Sequence, residues 1–433
     1  ERQNFDQIRR IVLHKLQEHA IQDAARGISN QGGTDGVKSE HSEDLMPAHL
    51  EDLYEDSVKN RTPTEAAQIQ KMLCDFKDSF SVDEFDLGLT HLTEHVIDTG
   101  DARPVKQPPR RIPLAFSGED REAIQKLLKQ GSVRPSNSPW ASPIVLVRKK
   151  DGSVRPCVDY RKVNEVTRKD AFPLPNTNDC LDAVAGASLF STLDITSAYN
   201  QVPVKEEDIP KTAFVTRCGL YEYTTMPFGL SNSPATFQRV MELALSGLQW
   251  QVCLIYLDDV IVYGKDFEEH LSRLKEVLGR IRQAQLKLKP KKCHFFQEEV
   301  TFLGHVISKD GVLPNPDNVK KIVEWPVPKN VTEVRAFLGM GNYYRRFIKD
   351  FAKEVQPLTK LTKKQQPFMW TKDCQLSFEK IKHVLLGPEI MGYPLESGGE
   401  FILDTDACDV SIGAVLSQKQ GDRERVIDRK SVV

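Results

Sequence analysis

Apolar residues recur at helical spacing in several separate stretches of this chain. One stretch follows Thr62-Pro63, a second lies within residues 117–131, and a third covers most of residues 331–365. The clearest begins after Asp266, where apolar residues recur every three or four positions and Glu269 gives the spacing of a capping box. We predict an amphipathic α-helix in each stretch.

Other stretches have the pattern of β-hairpins, in which apolar and polar residues alternate on either side of a turn. Asp151-Gly152 divides residues 143–160, and this dipeptide is a strong signal for a tight turn. Residues 300–315 and 400–418 have the same pattern. Because helices and strands follow one another without a repeated β-α-β unit, we predict an α+β fold.

The stretch VCLIYLDDVIVYG, residues 252–264, is apolar almost throughout, except for two adjacent aspartates. We predict two short strands that meet at Asp258 and Asp259. The apolar flanks indicate that the turn is embedded, and a buried carboxylate is costly unless something pairs with it. The alternative is a tight hairpin turn with solvated acids, since Asp is common in turns.

Length and composition are those of a soluble globular protein with about three domains of roughly 150 residues each. Of the 433 residues, 39% are hydrophobic and 28% are charged. The sequence contains no run of 18 apolar residues, which predicts no membrane-spanning helix. It begins without Met or a signal peptide, and we interpret it as a fragment or a processed piece.

The net charge of −2 conceals an uneven distribution of charged residues. Residues 1–60 are acidic, whereas residues 280–292 carry six Lys or Arg and no acidic side chain. Residues 329–364 carry nine Lys or Arg against three acidic residues. Basic stretches are usually solvated faces, but two in one chain favour a partner with a phosphate backbone.

The eight cysteines are scattered, without a C-x-x-C pair. This spacing argues against a structural zinc site and against a disulfide framework. Reduced thiols in a cytosolic or nuclear setting fit best.

Asp98-Thr99-Gly100 has the active-site triplet of an aspartic protease. Such a protease would need an apolar strand before the triplet and a long β-rich domain around it. Here a Pro- and Arg-rich segment follows, and then a predicted helix. The context therefore disfavours the protease interpretation.

A divalent metal would neutralise Asp258 and Asp259 and keep both ionised. Mg²⁺ prefers a few carboxylates together with substrate phosphates, and paired metals are the usual arrangement for phosphoryl transfer. Such a site needs a third carboxylate from another strand. Asp194, at the end of the apolar stretch LFSTLD, is the natural candidate.

An ordered set of motifs resembles the reverse transcriptases of gypsy-type LTR retrotransposons, and the resemblance extends from about residue 46 to about residue 427. The motifs, in order of their relevance to the site, are YLDDVIVY, LDITSAYNQVPV, TTMPFGLSNSPATFQRVM, CVDYRKVN, FLGHVIS and VRAFLGMGNYYRRFI. The resemblance implies a right-hand polymerase with fingers, palm and thumb. The expected parts are an N-terminal linker and helical segment (1–85), fingers and palm (86–310), a thumb (311–365) and part of a ribonuclease H-like domain (366–433).

By this resemblance Asp194, Asp258 and Asp259 are the palm carboxylates that bind two Mg²⁺ ions. One ion would lower the pKa of the primer 3′-hydroxyl, and the other would hold the triphosphate. Without metal, we expect Asp258 and Asp259 to be strained, poorly satisfied acids.

The resemblance also implies a nucleotide pocket. Lys149 and Arg155 are expected to contact the incoming triphosphate, unless they are ordinary exposed turn charges. Tyr199 matches the steric gate that rejects a ribose 2′-hydroxyl, with aromatic packing as the alternative. Phe228 would line the pocket, and Lys292 (or its neighbour Lys291) would protonate pyrophosphate.

A primer grip and a thumb surface are implied further along the chain. Phe302, Leu303 and Gly304 match the primer grip. Without the resemblance, they would be interpreted as the core of a hairpin. A second set is expected to stack on nucleic acid or contact its phosphates, with buried helix aromatics as the alternative for its two tyrosines. This set is Tyr343, Tyr344, Arg345 and Arg346.

Asp406 matches the first catalytic carboxylate of ribonuclease H, whereas Asp404 and Asp409 are neighbours without such a match. Ribonuclease H needs further carboxylates from later in its domain. Residues 366–433 are too few for a whole domain of this kind, so we expect it to be truncated and without ribonuclease H activity. The final DRKSVV fits no part of the family pattern, and we expect it to be foreign to the natural gene.

We therefore predict an RNA-directed DNA polymerase that uses Mg²⁺ and deoxynucleoside triphosphates on an RNA template and primer strand. The rival hypothesis is a catalytically dead, nucleic-acid-binding remnant of a mobile element. The resemblance implies a cytoplasmic location in a virus-like particle and no membrane partner. The sequence specifies no oligomeric state.

Overall fold

The computed structural model describes residues 46–110, 118–148, 152, 154–395, 398–408 and 411–432. Among the described helices, none is long and apolar enough to cross a membrane. The helices are α1 (Glu51–Ser57), α2 (Pro63–Asp75), α3 (Glu119–Lys129), α4 (Arg161–Val166), α5 (Thr177–Ala183), α6 (Ser233–Ala244), α7 (Phe267–Gln283), α8 (Pro316–Val323), α9 (Val331–Tyr343), α10 (Phe351–Lys360) and α11 (Lys372–Leu386).

Within the described residues the strands form four sheets, one of which has four strands and is called the palm sheet below. The strands are β1 (Val133–Pro135), β2 (Ser142–Arg148), β3 (Val154–Val158), β4 (Leu189–Asp194), β5 (Phe214–Thr216), β6 (Gly219–Tyr223), β7 (Cys253–Tyr256), β8 (Asp259–Gly264), β9 (His294–Gln297), β10 (Glu299–Phe302), β11 (His305–Ser308), β12 (Gly311–Pro314), β13 (Phe401–Cys408), β14 (Ser411–Gln420) and β15 (Arg423–Val432). The sheet orders are β1-β6-β5-β2-β3, β7-β8-β4-β9, β10-β11-β12 and β13-β14-β15.

The palm sheet is buried on both faces, which explains the continuous apolar runs of its strands. Val260 and Val262 of β8 belong to one hydrophobic core, and Ile261 between them belongs to another. Successive side chains of a strand point to opposite faces, so each strand supplies two cores in turn. Its antiparallel hairpin β7-β8 confirms the two predicted strands that meet at Asp258 and Asp259.

Helices α1, α2, α6 and α7 cover the first of these cores. Helix α2 starts with a full capping box, in which Thr62 and Glu65 each bind the other's backbone amide. Asp266 caps α7 as predicted, but Glu269 accepts from the Lys265 amide instead of completing the box at Asp266. Because α1 and α2 pack on the palm core, the proposed N-terminal segment 1–85 is not structurally separate over its described part.

The five-stranded sheet, called the fingers sheet below, contains the predicted hairpin β2-β3, in which Arg148 pairs with Val154. Its core is a third hydrophobic cluster that includes Trp140, Tyr160 and Phe214. Helix α3 packs against β3 and confirms the helix predicted within residues 117–131.

The predicted thumb helix is divided into α9 and α10. Asp350 has a φ of 54°, a left-handed conformation that interrupts the helical path. The predicted boundary between palm and thumb at residue 310 falls inside a sheet, because β11 and β12 pair across it from Ser308 to Gly311. This short sheet shares its core with the thumb helices and with one face of the palm sheet.

The C-terminal strands β13, β14 and β15 form an antiparallel meander, which confirms the hairpin predicted at residues 400–418. Strand β15 pairs with β14 up to Val432, so DRKSV of the final DRKSVV belongs to this sheet, and Val433 lies outside the described residues. Phe401 and Leu403 of β13 are exposed although they are large and apolar.

Candidate active site

Two neighbouring strands of the palm sheet bring the three predicted carboxylates together. Asp194 ends β4 and Asp259 begins β8, and the two residues are direct partners in the antiparallel register. Asp258 lies in the turn between β7 and β8, next to Asp259. Because antiparallel strands place the end of one beside the start of the next, all three acids lie at one end of the sheet.

A buried glutamine holds the turn that carries Asp258. Leu257 has a φ of 57°, which is costly for a residue with a large side chain. Its amide donates to Oε1 of Gln238, at 2.7 Å. Nε2 of Gln238 donates to Glu242 at 2.9 Å. We did not predict Gln238, although a glutamine within the apolar face of α6 is a signal that could have been used.

The expected burial of the aspartate pair is wrong. Ile255 and Val260 on either side are buried, but Asp258 and Asp259 are exposed because their turn lies at the end of the strands. The turn is of the kind given above as the alternative, a tight hairpin with solvent-accessible acids. Backbone strain is carried by Leu257 and not by either aspartate.

The environment of Asp259 favours its neutral form. The surrounding protein partly desolvates the carboxylate, and the charges of Asp258 and Asp194 repel it, so its pKa is raised to about 6. The ammonium of Lys292 opposes this shift. The site thus has more negative charge than its own cations balance.

Lys292 contacts the third acid directly. Its Nζ lies 2.9 Å from Oδ2 of Asp194, and the Lys289 amide donates to the Asp194 carbonyl at 2.9 Å. Within the described residues, no three Asp, Glu, His or Cys side chains are arranged to hold a metal ion as they stand. The carboxylate of Asp194 is therefore already paired with a cationic side chain.

An aromatic and cationic wall connects the fingers to the carboxylates. The guanidinium of Arg155 lies 4.9 Å from the ring centre of Phe228, which lies 4.7 Å from that of Tyr199. Burial and the nearby charge of Asp258 raise the pKa of Tyr199 to about 12. Arg155 and Phe228 line a cleft of about 780 Å³ that also reaches Lys291. Lys149 lies outside the described residues.

The predicted primer grip is a tight turn between β10 and β11. Leu303 and Gly304, called the grip turn below, have φ values of 47° and 69° and follow Phe302, which is buried. The hydroxyl of Tyr343 donates to the Leu303 carbonyl at 2.5 Å, and that of Tyr344 donates to the Gly304 carbonyl at 3.0 Å.

Burial corrects the roles expected for two of the four thumb residues. Tyr344 is 1% exposed and Arg346 is 6% exposed, so neither presents its side chain to a nucleic acid. Nη2 of Arg346 instead donates to the Ile427 carbonyl at 3.0 Å. Arg345 is exposed, and Tyr343 is 44% exposed.

The remaining acidic candidates lie elsewhere. Asp406 is exposed on β13, where it is the register partner of Gly413, and Asp404 lies two residues before it. Asp409 lies outside the described residues. Asp98 of the D-T-G triplet accepts from the Gly100 amide at 2.9 Å and pairs with Arg168 at 3.2 Å. Asp98 and Gly100 are exposed, whereas Thr99 between them is buried.

Two family models match the chain. Residues 147–307 match the reverse transcriptase (RNA-dependent DNA polymerase) family. Residues 370–431 match the RNase H-like domain found in reverse transcriptase.

Several polyproteins of mobile elements are similar in sequence. The Pol polyprotein from transposon 297 of Drosophila melanogaster is 40% identical over 77% of this chain and 32% of its own length. That from transposon 412 of the same fly is 36% identical over 88% of this chain and 31% of its own length. The Tf2-3 polyprotein of Schizosaccharomyces pombe is 36% identical over 74% of this chain and 24% of its own length. The chain thus spans about a third or less of these relatives.

Solved structures show the same fold. A foamy viral protease-reverse transcriptase in complex with double-stranded DNA aligns with a TM-score of 0.80, at 24% identity, over 94% of this chain and 70% of its own. Another, in complex with an RNA/DNA hybrid, aligns with a TM-score of 0.77, at 23% identity, over 93% of this chain and 54% of its own. With its sequence matches and its right-hand fold, the chain belongs to the reverse transcriptase family of LTR-retrotransposon Pol polyproteins.

Proposed function

We propose that the chain is an RNA-directed DNA polymerase that adds deoxynucleotides to a primer 3′-hydroxyl. The observation that carries the proposal is the meeting of Asp194, Asp258 and Asp259 at one end of the palm sheet. The wall of Tyr199 and Phe228 connects this end of the sheet to Arg155 of the fingers. Acids and a cationic cleft side by side suit a reaction between a hydroxyl and a triphosphate.

The carboxylates fit a pair of divalent cations, for which Mg²⁺ is our choice. Desolvation and the charges of Asp258 and Asp194 raise the pKa of Asp259, and a bound cation would offset that repulsion. Asp194, Asp258 and Asp259 would hold the ions, and Lys292 would leave Asp194 for the pyrophosphate group. When bound, the ions would supply charge stabilisation and a more acidic primer hydroxyl.

The other residues of the cleft would bind and orient the substrate. Arg155 would neutralise phosphate charge, and Phe228 would pack on the nucleotide while it holds the guanidinium in place. Tyr199 would exclude a ribose 2′-hydroxyl. Its raised pKa keeps the phenol neutral beside Asp258.

The similar solved structures support nucleic-acid partners, because those foamy viral protease-reverse transcriptases are in complex with double-stranded DNA and with an RNA/DNA hybrid. We propose an RNA template with a primer as the substrate and deoxynucleoside triphosphates as the second substrate. By the same relationship we propose that the protein acts in a cytoplasmic virus-like particle. We further propose that the 433-residue chain does not hydrolyse RNA at Asp406.

Primer extension on an RNA template tests the proposal with the whole 433-residue chain. We expect Mg²⁺-dependent extension, and Asp258→Asn should lower its rate by about 10³-fold. Asp266→Asn is the matched control, because Asn caps a helix as well as Asp does and should leave extension intact. Binding of primer-template without any extension by the unmodified chain would contradict the proposal and favour the inactive remnant.

A further inference from the structure

The grip turn is strained, and several side chains hold it. Leu303 has a φ of 47°, a left-handed conformation that an ordinary residue seldom adopts unless the surroundings enforce it. Gly304 follows with a φ of 69°, which glycine adopts at little cost. The strain therefore lies on Leu303, and the contacts of its carbonyl determine whether the turn is kept.

Two side chains donate to the Leu303 carbonyl. Tyr343 donates through its hydroxyl at 2.5 Å, and Nδ1 of His305 lies 2.8 Å from the same oxygen. Because a carbonyl can only accept, His305 carries its proton on Nδ1. A carbonyl has two lone pairs, so both acceptor positions of Leu303 are used.

The Gly304 carbonyl is held in a similar way. It accepts from the hydroxyl of Tyr344 at 3.0 Å and from the Asn315 amide at 3.1 Å. The Tyr344 hydroxyl in turn accepts from Nδ2 of Asn318 at 3.2 Å. Consecutive residues at the end of helix α9 thus bind consecutive carbonyls of the grip turn.

The rings of Tyr343, Tyr344 and His305 form a compact cluster with edge-to-face and tilted contacts. The ring centres of Tyr343 and Tyr344 are 4.9 Å apart at an interplanar angle of 88°. His305 lies 5.3 Å from the first ring and 5.5 Å from the second. Tyr344 and His305 are each 1% exposed. The hydroxyls are therefore held in fixed directions by packing.

The same cluster extends to the β7-β8 hairpin that carries Asp258 and Asp259, called the carboxylate hairpin below. Leu303 and Tyr256 both pack at the edge of the hydrophobic core that contains Tyr344. Tyr256 is the register partner of Asp259. The grip turn, the end of helix α9 and the strand that leads to the aspartates are consequently parts of one packed unit.

We infer that Tyr343 and Tyr344 are positioning residues, whose hydroxyls hold the grip turn in the conformation that places the primer 3′ end at the aspartates. The inference rests on the proposed polymerase function, and it gives both tyrosines a role other than stacking on nucleic acid. Displacing a reacting group by a small distance can cost a large factor in rate, so a turn held by four acceptor contacts is a suitable support for a primer end.

Phenylalanine variants test this because they keep each ring and remove only the hydroxyl. Tyr343→Phe and Tyr344→Phe are compared with Tyr393→Phe in the full 433-residue chain. Tyr393 is a matched control, because its buried hydroxyl donates to the Ser308 and Gly311 carbonyls at the other end of the same small sheet. Thermal melting shows that each variant is folded before it is assayed.

Two readouts separate positioning from general stability. In single-turnover extension, Tyr343→Phe and Tyr344→Phe should lower the maximal rate by about tenfold. Their dissociation constant for primer-template should change by less than about twofold, because phosphate contacts dominate duplex affinity. The second readout is a primer with the fluorescent base 2-aminopurine at its 3′ end, bound without nucleotide. Its emission should change in both variants, whereas an internal 2-aminopurine should not respond.

Tyr393→Phe should match the unmodified chain in both readouts. The inference is overturned if the two variants retain the unmodified rate and terminal emission, or if Tyr393→Phe changes them equally. If the unmodified chain extends no primer, the polymerase proposal fails, and the terminal probe alone decides the inference. A changed terminal emission in both variants, with Tyr393→Phe unaffected, then supports it.

Discussion

Three acids and one lysine set the charge balance at the end of the palm sheet. Asp194 is paired with Lys292, whereas the carboxylate of Asp259 is destabilised by its surroundings and by Asp258. These side chains therefore favour the binding of cations, and without a metal the ionised form of Asp259 destabilises the folded protein. This penalty can be measured without any enzymatic activity.

The first prediction concerns the pH dependence of stability in metal-free protein. The pKa of Asp259 is raised to about 6 in the folded state, so its ionisation lowers stability as the pH rises from about 4 through about 6. Asp259→Asn should raise the free energy of unfolding at pH 8 by about 1 kcal/mol, allowing for solvent screening at this exposed site. Near pH 4 the substitution should have little effect.

Urea denaturation in EDTA at both pH values checks this prediction. Asp266→Asn is again the control, because it removes an acid from a helix cap that Asn also forms. A lower stability of Asp259→Asn at pH 8 would contradict the assigned repulsion.

The second prediction concerns sugar selection by Tyr199. Its ring packs on Phe228 beside the carboxylates, where a smaller side chain would leave room for a 2′-hydroxyl. Tyr199→Val should therefore raise the ribonucleotide to deoxynucleotide ratio of kcat/KM by at least about tenfold, whereas Tyr199→Phe keeps the ring and should leave the ratio unchanged. Unaltered selectivity in Tyr199→Val would refute the gate.

At the scale of elements, close contact between β8 and α7 fixes the carboxylate hairpin from behind. A Cβ added to Gly264, at the end of β8, would lie 2.9 Å from Cα and Cβ of His270. His270 is fully buried, and its Nε2 lies 2.7 Å from the Ser191 hydroxyl on β4. Helix α7 can approach the sheet this closely only because residue 264 has no side chain.

The third prediction follows from that contact. Gly264→Ala should lower the free energy of unfolding by about 2 kcal/mol, because helix and sheet must separate. Gly339→Ala is the matched control in helix α9, where an added Cβ meets nothing within 4 Å. That control should raise stability by about 0.5–1 kcal/mol, since Ala favours a helix over Gly.

Chemical denaturation of both glycine variants measures the difference. Equal stabilities of Gly264→Ala and the unmodified protein would show that β8 and α7 can move apart freely.

At the scale of the whole molecule, Arg346 connects the thumb to the C-terminal sheet. Its guanidinium donates to the Ile427 carbonyl of β15, and Asp182 of α5 lies 3.7 Å away. Burial raises the pKa of Asp182, and the charge of Arg346 opposes that shift. One side chain thereby contacts three parts of the fold.

The fourth prediction compares Arg346 with its exposed neighbour. Arg346→Ala should lower the free energy of unfolding by about 2–3 kcal/mol, because the Ile427 carbonyl loses its charged donor in a buried place. Arg345→Ala should leave stability within about 0.5 kcal/mol and reduce the salt dependence of primer-template binding by about one phosphate contact. Denaturation and salt-dependent binding curves measure the two effects. An Arg346→Ala variant that keeps its stability but has a reduced salt dependence of binding would show instead that Arg346 contacts nucleic acid.

Local sequence patterns were sufficient to predict most helices and strands near the site. The apolar runs around Asp258 and Asp259 predicted β7 and β8 because both faces of that sheet are buried. The cap at Asp266 and the pairing of β2 with β3 followed from patterns that act over a few residues, although Asp151 of the predicted turn lies outside the described residues. The thumb was predicted less well, since the break at Asp350 has no Pro or Gly to mark it.

The sequence by itself determined the type of fold, the three carboxylates and the family resemblance, because these depend on residue type, spacing and order. Only the tertiary structure decided which side chains are accessible. Tyr344 and Arg346 lie in a basic, aromatic stretch that resembles a nucleic-acid surface, yet both are buried by elements distant in sequence. Likewise, Gln238 of helix α6 supports the turn that carries Asp258, through a hydrogen bond from Leu257, which lies 19 residues further along the chain. Burial and long-range hydrogen bonds depend on how the elements pack, which local spacing does not encode.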